Sequence, residues 1–307
     1  MSQSIPVITL PTQELLDRMQ EVLGERAELH LWPMEGPSGL DHIDLAVQPY
    51  MSAPSVLDVL ADEDVSAVQA QSLGFDNVDK HLPQGVTYSN AVGVHEGATA
   101  EIALGLVLAA QRDLHIHFAD QTKGEWNQRF TPGLMGLTVL CVGVGGVGTA
   151  IAHRLLPFEV TLLRSASRAR TDDLGQVYGP ESLPELVGQA DVVIVGAPLT
   201  DQTRHMFDDE MIGRMKPGSL LVNIGRGPLV DTDALTRATQ EGRIRAALDV
   251  VDPEPLPSDH PLWTTPGVLI TPHVGGRSTS MLDRVVRLLE AQVRHLAAGE
   301  PLEHRVL

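Results

Sequence analysis

Cysteine is almost missing from this chain of 307 residues, and Cys141 is the single one. A lone cysteine closes no disulfide within the chain. Set inside an apolar β-branched run, it reads as a small buried hydrophobe rather than a nucleophile. Positive charge is scarce as well: 22 Lys and Arg stand against 40 Asp and Glu, a formal net charge of −18. That balance lacks the basic footprint that nucleic-acid binding needs, and it acts mainly on solubility. No long uninterrupted apolar run offers a membrane span. The opening Met1–Pro6 has neither a basic stretch nor the apolar core of a signal peptide. No low-complexity tract stands out. These absences lead to the expectation of a cytoplasmic protein that binds neither nucleic acid nor membrane, and no metal site is expected.

What is present is organised around Val139–Gly148. An apolar run flows into Gly143-x-Gly145-x-x-Gly148, with Gly146 and Val147 between, and an alanine-containing segment, Thr149 to Leu156, comes next. This pattern predicts strand, tight turn and helix start. The first glycine permits the turn and the second lets backbone approach a pyrophosphate. The third lets helix and strand pack closely, and the free N–H groups of the helix N-terminus face the phosphates. Dinucleotide binding is the expectation.

Before this stretch, short apolar strands at 5–10, 45–47 and 65–70 alternate with helical spacing at 12–23 and 55–60, which argues for a parallel α/β sheet. The segment 99–114 predicts a helix apolar on nearly all faces, one that is buried or shared with another subunit. After the glycine loop, strands are expected at 160–163, 191–195, 219–224, 246–250 and 267–270, making six with the loop strand. An amphipathic helix over 281–298 closes the chain. At 307 residues two ordinary domains fit. The expected boundaries are 1–94 plus 278–307 for a substrate-binding domain and 95–277 for the dinucleotide-binding domain.

Functional groups in such sheets sit just past the carboxyl ends of strands. There the sequence places Arg226, Glu254 and His273 after three successive strands, and Leu73–Gly74 in the first half. A hydride delivered to a carbonyl carbon leaves an oxygen that needs a proton, and His273 suits that general-acid role. Glu254 would hydrogen-bond the other ring nitrogen and favour the protonated ring. Arg226 offers a planar fork to a substrate carboxylate and can polarise the carbonyl.

Five linked stretches carry a resemblance: Asn90–His95 running to Thr99-Ala100-Glu101, Pro198–Thr203, Asn223–Asp231, Leu248–Pro257 and Thr271–Gly276. The chain resembles the D-isomer-specific 2-hydroxyacid dehydrogenase family, glyoxylate/hydroxypyruvate reductase-like. The resemblance implies two doubly wound parallel-sheet domains, Rossmann-like and flavodoxin-like, with an active-site cleft between them. It implies Arg226, Glu254 and His273 as the catalytic set and the backbone of Leu73 and Gly74 as the carboxylate site. Asp249 would bind the nicotinamide carboxamide. Thr99, Pro198, Thr203, Ile224, Gly225 and Gly275 are the further cofactor contacts it suggests, and it also implies a homodimer built through the helix from about Thr99.

One stretch departs from the family. Where members commonly have Phe-Gly-x-x-Val, this chain has Pro157-Phe158-Glu159-Val160, read here as about two residues shorter. That gap puts Arg164 where NAD-dependent members carry an acid for the adenosine ribose, with Ser165 and Arg168 nearby. Arg and Ser bind a 2′-phosphate that an acid would repel, so NADP is expected in preference to NAD. Few cations stand in residues 1–95, and Tyr50 and Met51 are expected to line the substrate pocket, which favours a small, partly apolar 2-oxo acid such as glyoxylate or hydroxypyruvate. The alternatives are a non-catalytic NAD(P)-sensing protein of the same fold and a phosphoglycerate dehydrogenase-like enzyme. Formate dehydrogenases pair the histidine with Gln, so Glu254 argues against them.

Overall fold

The computed structural model describes residues 5–307. The chain falls into two units, one running up to His95 and resuming at Ser278–Leu307, the other spanning Glu96–Arg277.

The first unit is a five-stranded parallel sheet. Its strands are β1 (Val7–Leu10), β2 (Glu28–Leu31), β3 (Leu45–Val47), β4 (Ala67–Gln69) and β5 (Thr87–Ser89), in the order β2-β1-β3-β4-β5. That is the flavodoxin-like order, whose ligand sites lie outside the strands' carboxyl ends. Helix α1 (Gln13–Leu23) begins at Thr12, whose side chain accepts the Leu15 N–H, and it buries Leu15, Met19 and Leu23 at helical spacing. The closing helix Met281–Ala298 buries Val285, Val286, Leu288, Leu289 and Val293 in the same core. Both amphipathic patterns are legible in the sequence. The stretch expected as a helix at 55–60 is a 3₁₀ segment, Pro54–Asp62.

The second unit opens with α2 (Glu96–Gln111) and α3 (Leu114–Lys123), separated by Asp113 in a left-handed conformation at φ 49°. Then come β6 (Thr138–Val142), α4 (Gly146–Leu155), β7 (Thr161–Ser165) and an antiparallel hairpin of β8 (Arg170–Asp172) and β9 (Gly175–Val177). They are followed by α5 (Leu183–Gln189), β10 (Val192–Val195), α6 (Asp209–Arg214), β11 (Leu220–Asn223), α7 (Thr232–Gln240), β12 (Arg245–Leu248) and β13 (Val268–Ile270). Six of these strands form a parallel sheet in the order β13-β12-β11-β10-β6-β7.

Alternation along the strands explains the two layers of helices. Val139, Cys141, Val192 and Ile194 point into a core with α2 and α4 residues such as Ala103, Val107 and Ile151. Leu140, Val142, Val193 and Val195 point the opposite way, into a core with Leu186, Ile212 and Leu235. Successive strand residues face opposite sides, so a sheet covered on both faces needs continuous apolar strands. Cys141 is buried, and burial pushes its thiol up to about 12, consistent with a packing role. Among the described residues no helix is long and apolar enough to cross a membrane.

Candidate active site

The glycine loop joins β6 to α4. Gly143 sits at φ 92°, and a Cβ there would lie 2.6 Å from the Ala197 nitrogen. A Cβ on Gly148 would lie 1.9 Å from the Gly143 carbonyl oxygen, so only glycine lets the helix start this close to the strand. Around Gly145 the space is open, with nothing within 4 Å of where a Cβ would be. Gly145 caps the ten-residue α4 without a side-chain bond, so the first N–H groups of that helix are left for an outside acceptor. A tight turn, an open backbone face and a helix N-terminus fit a dinucleotide pyrophosphate.

At the next strand the structure corrects the sequence reading. Arg164 lies inside β7, paired with Cys141 of β6, and is only 2 % exposed. Its guanidinium makes a bidentate pair with Asp172, Nη1–Oδ2 2.9 Å and Nη2–Oδ1 2.7 Å, and Nη2 also donates to the Gly175 carbonyl. The donors expected to bind a 2′-phosphate hold the β8–β9 hairpin instead. The presence of Arg164 beside it keeps the Asp172 carboxyl below the usual carboxylate range. Ser165 is also buried, its carbonyl receiving the Gly143 N–H at 2.8 Å. The register of β7, which turns Arg164 inward, is the source of the difference. Glu159 takes the left-handed conformation at φ 59°, the backbone state a glycine would adopt at that place in a Phe-Gly turn. β7 ends at Ser165, so the first position beyond it is Ala166. Of the three residues expected around the ribose, Arg168 alone is exposed. Arg170, not picked out from the sequence, donates from Nη2 to the Val144 carbonyl of the glycine loop at 3.3 Å.

Arg226, Glu254 and His273 come after β11, β12 and β13, three neighbouring strands. Asn223, the last residue of β11, shapes the turn at Arg226: its Nδ2 donates to the Arg226 carbonyl at 2.9 Å and its Oδ1 accepts the Gly225 N–H at 3.2 Å. His273 is a non-glycine residue at φ 51°, a conformation that persists where surrounding bonds over-determine it. Asp249 supplies those bonds. Its backbone carbonyl accepts the His273 N–H at 2.8 Å. Its buried carboxylate accepts the Thr271 hydroxyl at 2.6 Å, the Val274 N–H at 3.0 Å and the Gly275 N–H at 2.8 Å. The sequence reading gave Asp249 a cofactor contact and missed this anchoring of the histidine loop.

His273 Nδ1 donates to Glu254 Oε2 at 2.8 Å, and Glu254 Oε1 accepts the Val251 N–H at 3.1 Å. Burial raises the Glu254 carboxyl. The hydrogen bond and charge of His273, the Val251 N–H and the charge of Arg226 outweigh it, and the net position lies below the ordinary value. A carboxylate only accepts, so the Nδ1 proton is fixed and Nε2 is the nitrogen left to exchange a proton.

Among the other expected cofactor contacts, Thr203 Oγ1 donates to the Pro198 carbonyl at 2.8 Å and shapes the loop after β10. Ile224 is buried beyond β11, Gly225 lies in the turn that Asn223 shapes, and Thr99 is half-buried in α2. In the first unit, the half-buried Leu73 and Gly74 lie beyond β4, Tyr50 stacks on His95 with ring centroids 5.5 Å apart, and Met51 is exposed.

Comparison with known proteins places this geometry among relatives. Residues 104–275 match the family model "D-isomer specific 2-hydroxyacid dehydrogenase, NAD binding domain". The chain is similar to the glyoxylate reductase of Thermofilum pendens, 34% identical over 251 residues that cover 78% of this chain and 74% of the relative. Its structure is similar to that of a D-isomer specific 2-hydroxyacid dehydrogenase family protein from Aeromonas salmonicida, with a TM-score of 0.87, 26% identity and 99% of both chains covered. It is also similar to the NADPH-dependent glyoxylate/hydroxypyruvate reductase of Sinorhizobium meliloti solved with NADP and sulfate, with a TM-score of 0.84, 25% identity, 99% of this chain and 98% of that one.

Proposed function

The chain belongs to the D-isomer specific 2-hydroxyacid dehydrogenase family, and from that premise we propose that it reduces glyoxylate or hydroxypyruvate, preferring NADPH to NADH, with Arg226, Glu254 and His273 as its catalytic set. It is an NAD(P)-dependent oxidoreductase acting on 2-hydroxy and 2-oxo acids. The observation that carries the catalytic assignment is the 2.8 Å bond between His273 Nδ1 and Glu254 Oε2 at the ends of neighbouring strands.

Proton placement sets the roles. The reduced nicotinamide, when bound, supplies the hydride that reaches the carbonyl carbon. Glu254 holds the Nδ1 proton and orients the ring, so His273 in its imidazolium form gives its Nε2 proton to the carbonyl oxygen. In the direction of alcohol oxidation the same nitrogen takes it back. Arg226 offers its fork to a substrate carboxylate. In the first unit, the backbone N–H groups of Leu73 and Gly74 are donors of the kind a carboxylate accepts. The glycine loop and the start of α4 hold the pyrophosphate.

Cofactor preference rests on Arg168 and Arg170 rather than Arg164. Ala166 offers no carboxylate at the end of β7, and Asp172, the nearby acid, is neutralised by Arg164. The similar NADPH-dependent reductase of Sinorhizobium meliloti supports the same preference and the same substrates.

A homodimer through α2, α3 and the segment up to β6 fits the apolar side chains left at the surface there, Phe118, Trp126 and Phe130 among them, Trp126 being 91 % exposed. Light scattering on the purified protein checks it. A reduced, unpaired thiol suits the cytoplasm.

The test is a panel of 2-oxo acids assayed with each reduced cofactor by loss of nicotinamide absorbance. Glyoxylate and hydroxypyruvate should give the highest catalytic efficiencies, and NADPH should exceed NADH. A larger or aromatic 2-oxo acid ahead of both would refute the substrate reading. No turnover with any member would favour a cofactor-sensing protein.

A further inference from the structure

The segment after β4 has an arrangement that its two expected donors do not account for. Three consecutive carbonyls, those of Gln71, Ser72 and Leu73, all bond to the stretch 90–95. His95 Nε2 meets the Gln71 oxygen at 2.5 Å, the Ala91 N–H meets the Ser72 oxygen at 2.9 Å, and Asn90 Nδ2 meets the Leu73 oxygen at 2.9 Å. A trans peptide is planar, with the N–H of one residue pointing opposite to the carbonyl before it. Fixing these three carbonyls on one side therefore turns the N–H groups of Ser72, Leu73 and Gly74 to the other. Among the described residues none of the three N–H groups has a partner in the chain. Successive N–H groups turned to one side make an anion-binding concavity.

His95 is built for the first of these bonds. It is 5 % exposed, and it stacks flat on Tyr50 at an interplanar angle of 15°. A carbonyl only accepts, so Nε2 carries the proton and the ring is a fixed donor. His95 is also the last residue of the first unit before α2, the place where the chain leaves that sheet.

We propose that Ser72 contributes a third backbone N–H to the substrate carboxylate site, and that His95, steadied by Tyr50, is the positioning residue that aims it. The proposal rests on the reading that Leu73 and Gly74 bind the substrate carboxylate, and it extends that reading to the ligand class: an anion with a planar oxygen pair, as any 2-oxo acid presents.

The probe is oxamate, an unreactive 2-oxo acid analogue, added to full-length protein saturated with NADPH. In the wild type, amide resonances of Ser72, Leu73 and Gly74 should move together on titration. If none of the three moves, the carboxylate reading and this proposal fall together. If Leu73 and Gly74 move while Ser72 does not, only the third donor is lost and the proposal fails alone.

Variants then separate the ring's two contacts. His95→Phe keeps a ring against Tyr50 and loses the donor. It should weaken oxamate about ten-fold, the loss of one hydrogen bond to a charged acceptor, and raise the KM for the 2-oxo acid. NADPH affinity should stay near wild type, while the unpaired Gln71 carbonyl lowers the melting temperature by several degrees. His95→Gln keeps an N–H donor and should restore most of the affinity. Asn90→Ala removes the donor to the Leu73 oxygen without adding a charge and should show the same split, which keeps the test open if His95→Phe folds poorly. Oxamate affinity in His95→Phe equal to wild type, or a parallel and equal loss of NADPH affinity, would overturn the positioning role.

Discussion

Replacing Asp249 by Ala should cost both stability and catalysis. The carboxylate is 2 % exposed and accepts three bonds: the Thr271 hydroxyl at 2.6 Å, the Val274 N–H at 3.0 Å and the Gly275 N–H at 2.8 Å. Hydrogen bonds to charged groups contribute about 1.5–3 kcal/mol each. Three would sum to about 4.5–9 kcal/mol, but neighbours in one network are not additive, and the Thr271 hydroxyl can turn to another acceptor. Water entering the space left by the side chain recovers part of the rest, so about 3–5 kcal/mol is the expected loss. For a unit of this size that is roughly 6–20 °C in melting temperature. The histidine loop, with His273 in its left-handed conformation, should relax as well, so turnover falls even well below the melting transition. Urea denaturation gives the first quantity and steady-state assays at low temperature the second. A variant that loses turnover but less than about 1 kcal/mol of stability would refute the anchoring role and leave Asp249 as a cofactor contact only.

The same geometry leads to three further outcomes. Arg226→Lys should raise the Michaelis constant and lower turnover together, because an ammonium does not reproduce a planar fork; full activity with lysine would show that a point charge suffices. Changing both Arg168 and Arg170 to Ala should lower catalytic efficiency with NADPH about ten-fold or more while leaving NADH nearly unchanged, the worth of one charge-assisted bond to a phosphate; an unchanged ratio would remove both from the cofactor site. Glu254 is ionised more readily in the folded chain than in the unfolded one, so its contribution to stability is present above the ordinary carboxylate value of about 4.3 and is lost as pH falls through the lowered folded value. The difference in urea midpoint between wild type and Glu254→Gln should therefore shrink on going from about pH 5 to below pH 4, and a difference that stays constant would argue against an ionised partner for His273.

Much of this is legible in the sequence because parallel strands covered on both faces must be apolar throughout. Runs such as Val192–Val195 and Leu220–Asn223 announce themselves, and with them the positions just beyond, where Arg226, Glu254 and His273 stand. The helices at 13–23 and 281–298 are readable from one buried face each. The β8–β9 hairpin is not, since Arg170-Thr171-Asp172 is short, polar and exposed, with no hydrophobic alternation to mark it. Without the hairpin, nothing reveals that Arg164 already has a carboxylate partner. Composition gives the charge of a side chain, but strand register decides which side of a sheet it faces. Glu159 is hard to read for a related reason: it adopts a left-handed turn that a glycine would have advertised. The carbonyl-locking role of His95 depends on which way three peptide planes face, which no pattern of residue types encodes.

On the proposed assignment His273, held by Glu254, carries the proton of the reaction. The deciding measurement is the turnover of His273→Gln with glyoxylate and NADPH, taken beside the NADPH dissociation constant of the same variant. Turnover should fall about 10²–10⁴-fold, the usual contribution of a general acid, while the dissociation constant stays near wild type. Turnover close to wild type, with glyoxylate still reduced, would contradict the assignment and place the proton on another group.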